Sequence, residues 1–154
     1  MWFLVTAIVV LVAVAALVAV LVHRGGAKKI DPQLGRQKFC ERREWLEADF
    51  FKLGSTSGSP RGLNWVDCDF SNEVSYAIDK RTGELTALVG VGIQFEAIEG
   101  GGMEDVENVA NAKAATAMFR FDGEHWQATG KTVFNLSPSE TIQYYQNELE
   151  TLEI

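Results

Sequence analysis

The first 22 residues, MWFLVTAIVVLVAVAALVAVLV, carry no charge, no Gly and no Pro, and Thr6 is their only clearly polar side chain. Wound as a helix at about 1.5 Å per residue, this run would be roughly 33 Å long, close to the hydrocarbon thickness of a bilayer. It is apolar on every face, so it has no polar side to turn toward water. In lipid a single segment satisfies all its own backbone groups only as a helix. A cleaved leader fits less well. No Lys or Arg precedes the run, and it exceeds the usual apolar core of about 7–15 residues. Its end, Leu21-Val22-His23-Arg24, lacks the small side chains of a cleavage site. Residues 1–22 are therefore expected to hold the chain in a bilayer as a single-pass transmembrane helix.

The flanks set the expected orientation. Residues 23–43 contain Arg24, Lys28, Lys29, Arg36, Lys38, Arg42 and Arg43 against Asp31 and Glu41, whereas no charged side chain precedes the run. Basic residues are retained on the cytoplasmic side, which places the C-terminal domain in the cytoplasm. Beyond this collar the charge reverses. Residues 44–154 hold seven cations and nineteen acids, a net of −12. Such a body would repel a phosphate backbone, so no nucleic-acid partner is expected. The two cysteines, Cys40 and Cys68, fall in different expected elements without metal-type spacing. Two free thiols suit a reducing compartment.

Residues 23–33 read as a basic linker: Gly25 and Gly26 end the apolar helix and Pro32 marks a new start. Residues 34–154 are enough for one domain with its own core. Residues 34–53 show a helical period, with Phe39, Leu46, Phe50 and Leu53 on one stripe, Trp45 beside it and Gly54 as the stop. Residues 54–62, GSTSGSPRG, form a connector by composition.

A meander of strands is expected next. With residues 80–83, KRTG, as a hairpin loop, Ile78 faces Leu85, Tyr76 faces Ala87 and Val74 faces Val89, all apolar pairs. A second loop at residues 71–73 would set Phe70 against Val74, Cys68 against Tyr76 and Val66 against Ile78. From Leu85 to Ala97 every second residue is apolar, while Gly90 and Gly92 lie on the other face and suggest a bend or a close contact. Asp122-Gly123 signals a two-residue type I′ turn, which would pair Phe119 with Trp126 and Ala117 with Ala128. Residues 138–152 read as a last helix. Ser137 is its N-cap, Pro138 its first position and Glu140 its capping-box partner; Ile142, Tyr145, Leu149 and Leu152 form its stripe.

The fold class is thus α+β, one antiparallel sheet of about four to six strands with two helices packed on it. The order of a helix, bent strands and the aromatic hairpin Phe119-x-Phe121-Asp122-Gly123-x-x-Trp126 resembles NTF2-like or cystatin-like folds. The resemblance is architectural and spans about residues 34–135. Such folds serve enzymes, binding modules and assembly domains alike, so it does not choose a function.

No constellation for catalysis or cofactor binding stands out. Residues 96–107 gather five acids around Gly100, Gly101 and Gly102. Glu96, Glu99, Glu104 and Asp105 are weak candidates for a hard cation, but the EF-hand spacing is missing. A hairpin tip with solvated acids is the preferred reading of this stretch. His125 has Asp122 and Glu124 near in sequence, a common turn composition rather than an acid–base pair. The expected function is a membrane-tethered interaction or assembly module, with a homo-oligomer or protein partner. The alternative is a small-molecule binding domain or enzyme with a pocket in the curved sheet.

Overall fold

The computed structural model describes residues 30–57 and 59–154. The apolar run and residues 23–29 of its basic flank lie outside them. Among the described residues, no helix is long and apolar enough to cross a membrane.

Helix α1 spans Pro32–Ser57. Asp31 caps it: the Asp31 carboxylate accepts from the Gln33 amide at 3.0 Å, and Pro32 takes the first position, where no amide is needed. The helix buries Gly35, Phe39, Leu46, Phe50 and Gly54. Steps of four and seven keep these five on one face. Leu53 does not belong to that stripe and is 40% exposed. Gly54 does not stop the helix either. The last turn continues to Ser57, where the Thr56 and Ser57 hydroxyls donate to the Lys52 and Leu53 carbonyls.

Five strands follow, with a short helix before the last. They are β1 (Leu63–Asp79), β2 (Leu85–Ala97), β3 (Lys113–Phe121), β4 (Trp126–Phe134), α2 (Pro138–Tyr144) and β5 (Leu149–Leu152). All pairings are antiparallel, and the sheet order is β4-β3-β2-β1-β5. The β1–β2 hairpin has the expected register, with Ile78 opposite Leu85, Tyr76 opposite Ala87 and Val74 opposite Val89. Gly83 takes φ 73° in its loop, and the Asp79 carboxylate accepts from the Arg81 and Thr82 amides.

Three further expectations are corrected. Residues 71–73 do not form a hairpin loop. They are an irregularity within one long strand, so Phe70 pairs with Val91 on β2 rather than with Val74. Arg43 of α1 holds this segment, donating to the Ser71 carbonyl and, at 3.0 Å, to the Asn72 carbonyl. The β3–β4 hairpin closes with Phe121 opposite Trp126 and Phe119 opposite Ala128. Its loop is therefore residues 122–125 rather than a two-residue turn. The Asp122 carboxylate accepts from the Glu124 and His125 amides, both at 2.8 Å, while Gly123 supplies φ 97°. The shift of two residues keeps every side chain on its expected face. Finally, residues 138–152 are not one helix. The capping box forms as expected, but α2 ends at Tyr144 and the chain returns as β5 beside the last four residues of β1.

The sheet has an apolar layer on each face. On one side α1 places Phe39, Leu46 and Phe50 against Trp65, Tyr76, Phe119, Phe121, Trp126 and the alternating residues of β2. The Trp126 indole donates to the Gly35 carbonyl at 2.8 Å, fixing the first turn of α1 to β4. On the other side Ala77, Leu88, Met118, Ile142 and Leu149 form a smaller cluster under α2.

Candidate functional site

A broad depression lies on the α2 side of the sheet. It is an open groove of about 740 Å³. Gly90 and Gly92 of β2 and Ala114 of β3 give it a low floor. Asp69 and Ser71 of β1 form one wall, and residues 135–138 with Glu140 form the other. The second wall is tied down: the Thr116 hydroxyl donates to the Leu136 carbonyl at 2.8 Å, and the Asn135 amide to the Ala114 carbonyl at 2.9 Å. Gly90 and Gly92, singled out in the sequence for a close contact, are the floor of this groove. Its walls were hidden, because they depend on the β1 irregularity and on the exit from β4.

The chemistry of the groove is limited. Its lining includes no His, Lys, Arg or Cys. The Glu140 carboxylate is already engaged: Ser137 donates to it through its hydroxyl at 2.7 Å and its amide at 2.8 Å. The hydroxyl first, then the amide, hold this carboxyl below its ordinary pKa. A carboxylate committed to a helix cap is a poor proton shuttle. The arrangement offers contact surface and hydrogen bonds rather than a nucleophile or an acid–base pair.

The acidic candidates are spread out. Glu96 stands on β2 opposite Asn64, and Glu99, Glu104 and Asp105 are exposed in the loop that follows. Glu104 accepts from the Gly100 amide, and hydrogen bonds from its own and the Gly100 amide lower its pKa. It thus organises the loop. Among the described residues, no group of three or more His, Cys, Asp or Glu is arranged to hold a metal ion. His125 is exposed on the β3–β4 loop, where its main-chain amide donates to the Asp122 carboxylate.

The two thiols differ sharply. Cys40 is exposed on α1, whereas Cys68 is half-buried on β1. Burial, and then the negative charge of Asp67, push the Cys68 thiol up to about 12. Thiolate is the reactive form, so Cys68 should be nearly inert at neutral pH. Brief iodoacetamide treatment of the native chain is expected to modify Cys40 well before Cys68, as read by peptide mass spectrometry. Equal rates would contradict the placement of Cys68.

Comparison with known protein families, curated proteins and solved structures gives no match.

Proposed function

We propose that the chain is a membrane-tethered interaction or assembly module. Residues 1–22 engage the bilayer, and the α+β domain stands on the cytoplasmic side. The observation that carries this reading is the direct passage from the apolar run, through a basic collar, into α1. Ile30 already packs against the core, so few residues separate the run from the folded unit. The domain is then held near the membrane surface.

An interaction role draws support from how the sheet is filled. Fully buried Phe39 and Phe50 occupy the side that faces α1, where a curved sheet would otherwise keep a ligand pocket. The likeness to NTF2-like or cystatin-like folds belongs to the same proposal, as the scaffold without such a pocket. The groove over Gly90 and Gly92 favours the second reading, a binding domain for a small molecule. It is shallow in chemistry, with carboxylates and hydroxyls alone among its titratable or nucleophilic groups.

The test is fractionation. The intact chain should remain with membranes after carbonate extraction, and a reporter fused after Ile154 should be active only in the cytoplasm. Recovery of the intact chain in the soluble fraction would refute the tether. An exported alkaline-phosphatase fusion with activity would refute the orientation.

A further inference from the structure

Among the described residues, Trp45 is the most exposed large apolar side chain, at 74%. It stands on α1 outside the buried stripe. Steps of four and seven put Leu34, Lys38, Trp45 and Lys52 on one side of the helix, and Arg42 lies one turn before Trp45. Leu34, Arg42 and Lys52 are exposed with it. Lys38 is held inward, donating to the Glu124 carbonyl at 2.9 Å. Two acids border this side, Glu41 and Asp49, and Glu41 accepts from the Gln37 side-chain amide at 3.0 Å. Neither Arg42 nor Lys52 has an ion-pair partner among the described residues.

The length of chain before α1 limits what can lie against this side. The apolar run ends at Val22, and Ile30 already packs against the core. The eight residues from one to the other reach at most about 28 Å when fully extended. α1 begins two residues after Ile30, and Trp45 lies about 20 Å along it. With the run in a bilayer, the start of α1 is held close to the membrane surface, and Trp45 is within reach of it.

Charge sets which side turns toward that surface. Residues 23–52 contain eight cations and five acids, whereas residues 53–154 contain six cations and sixteen acids. An anionic bilayer surface attracts the first group and repels the second. α1 covers one face of the sheet, so its outward side is free to meet the headgroups while the acidic strands and α2 stay behind it. An indole is at its most stable at that level, with its ring among the upper acyl chains and its N–H among polar groups.

We propose that α1 docks on an anionic bilayer surface through the side that bears Leu34 and Trp45, with Trp45 at the headgroup level and Arg42 and Lys52 among the lipid phosphates and carboxylates. The inference rests on the tether proposed above and adds an orientation to it. The apolar run alone would leave the domain free to turn about its linker. The α1 contact fixes one face toward the membrane and presents the groove over Gly90 and Gly92, across the sheet, to the cytoplasm.

The probe is lipid brominated near the headgroup end of its acyl chains, built with phosphatidylserine into nanodiscs around the full chain carrying Trp2→Phe. That change removes the indole of the apolar run, and Trp65 and Trp126 are buried in the core. The Trp45 emission, taken as the difference from the same chain with Trp45→Phe, should fall roughly twofold or more on bromination. Arg42→Glu with Lys52→Glu, both at exposed positions, should remove most of that loss. An indole placed across the sheet, by Tyr144→Trp in the Trp45→Phe chain, should escape quenching; Tyr144 is itself exposed on α2. Unquenched Trp45 emission from a chain that carbonate leaves with the membranes would overturn the docking while the tether stands. Equal quenching of the indole at residue 144 would show random collision with the bilayer and overturns it. Undiminished quenching in the double Glu variant overturns it as well. Blue-shifted, unquenched Trp45 emission that depends on the number of chains per disc would identify a second copy on this side, again overturning it. A chain released by carbonate would remove tether and docking together.

Discussion

Phe39→Ala is expected to destabilise the domain by about 3–5 kcal/mol, the usual cost of emptying a buried aromatic site. A domain of this size has roughly 5–15 kcal/mol in total, so the loss would be a large fraction of it. Phe39 is fully buried where α1, β1, β3 and β4 meet. Its ring lies 4.9 Å from that of Trp126, 5.5 Å from Phe119 and 6.2 Å from Tyr76, all at steep angles. Edge-to-face contacts of this kind add to the area term. The measurement is urea unfolding of the full chain in mild detergent, followed by circular dichroism. Trp45→Ala is the control. Trp45 lies on the same helix but is 74% exposed, so its removal should change stability by less than about 0.5 kcal/mol. Similar midpoints for the two variants would show that α1 is docked by another face.

The contrast between Phe39 and Trp45 shows what the sequence made legible. Helical spacing placed Phe39, Leu46 and Phe50 together without any knowledge of the sheet. Period-two alternation did the same for β2, and matching apolar pairs fixed the hairpin at residues 80–83. These signals are local, and burial on one face enforces them. Ser137, Pro138 and Glu140 were equally plain, because a capping box lies within four consecutive residues.

What the sequence concealed depends on partners far along the chain. Residues 71–73 have loop composition, and only Arg43 of α1 and the uninterrupted β2 partner keep them within a strand. Parity cannot choose between a two-residue and a four-residue loop at Asp122, since both leave the same side chains inward. Ile142, Tyr145, Leu149 and Leu152 satisfy a helical stripe, yet the structure sorts Leu149 under α2 and Leu152 toward α1. A strand puts residues three apart on opposite faces, and the unpaired end of β1 supplies the hydrogen bonds that favour it. The same long-range logic hid the groove walls. They are no motif but a consequence of where the pairing stops.

Gly54 gives the second large effect, and its sign needs an argument. A glycine inside a helix is ordinarily a weakness, and replacing it with Ala should gain about 1 kcal/mol from propensity alone. Here the indole of Trp65 lies directly on the glycine. A methyl group added at Gly54 would meet Trp65 Cη2, with Cζ3 at 2.7 Å and Cζ2 at 2.8 Å. Trp65 cannot swing away freely, because Phe50 and Phe95 each hold it at 5.8 Å between ring centroids. Overpacking of a filled core costs about 1–3 kcal/mol, so the clash outweighs the propensity gain. Gly54→Ala should be destabilising despite its better helix former, and Gly54→Leu more so, by about 3 kcal/mol or beyond. The decisive measurement is a double-mutant cycle with Trp65→Leu, which removes the obstructing ring. On that background Gly54→Ala should become neutral or stabilising, a coupling of about 1–3 kcal/mol. If Gly54→Ala stabilises the chain with Trp65 in place, the indole does not rest on this turn, and the seating of β1 beneath the end of α1 is wrong.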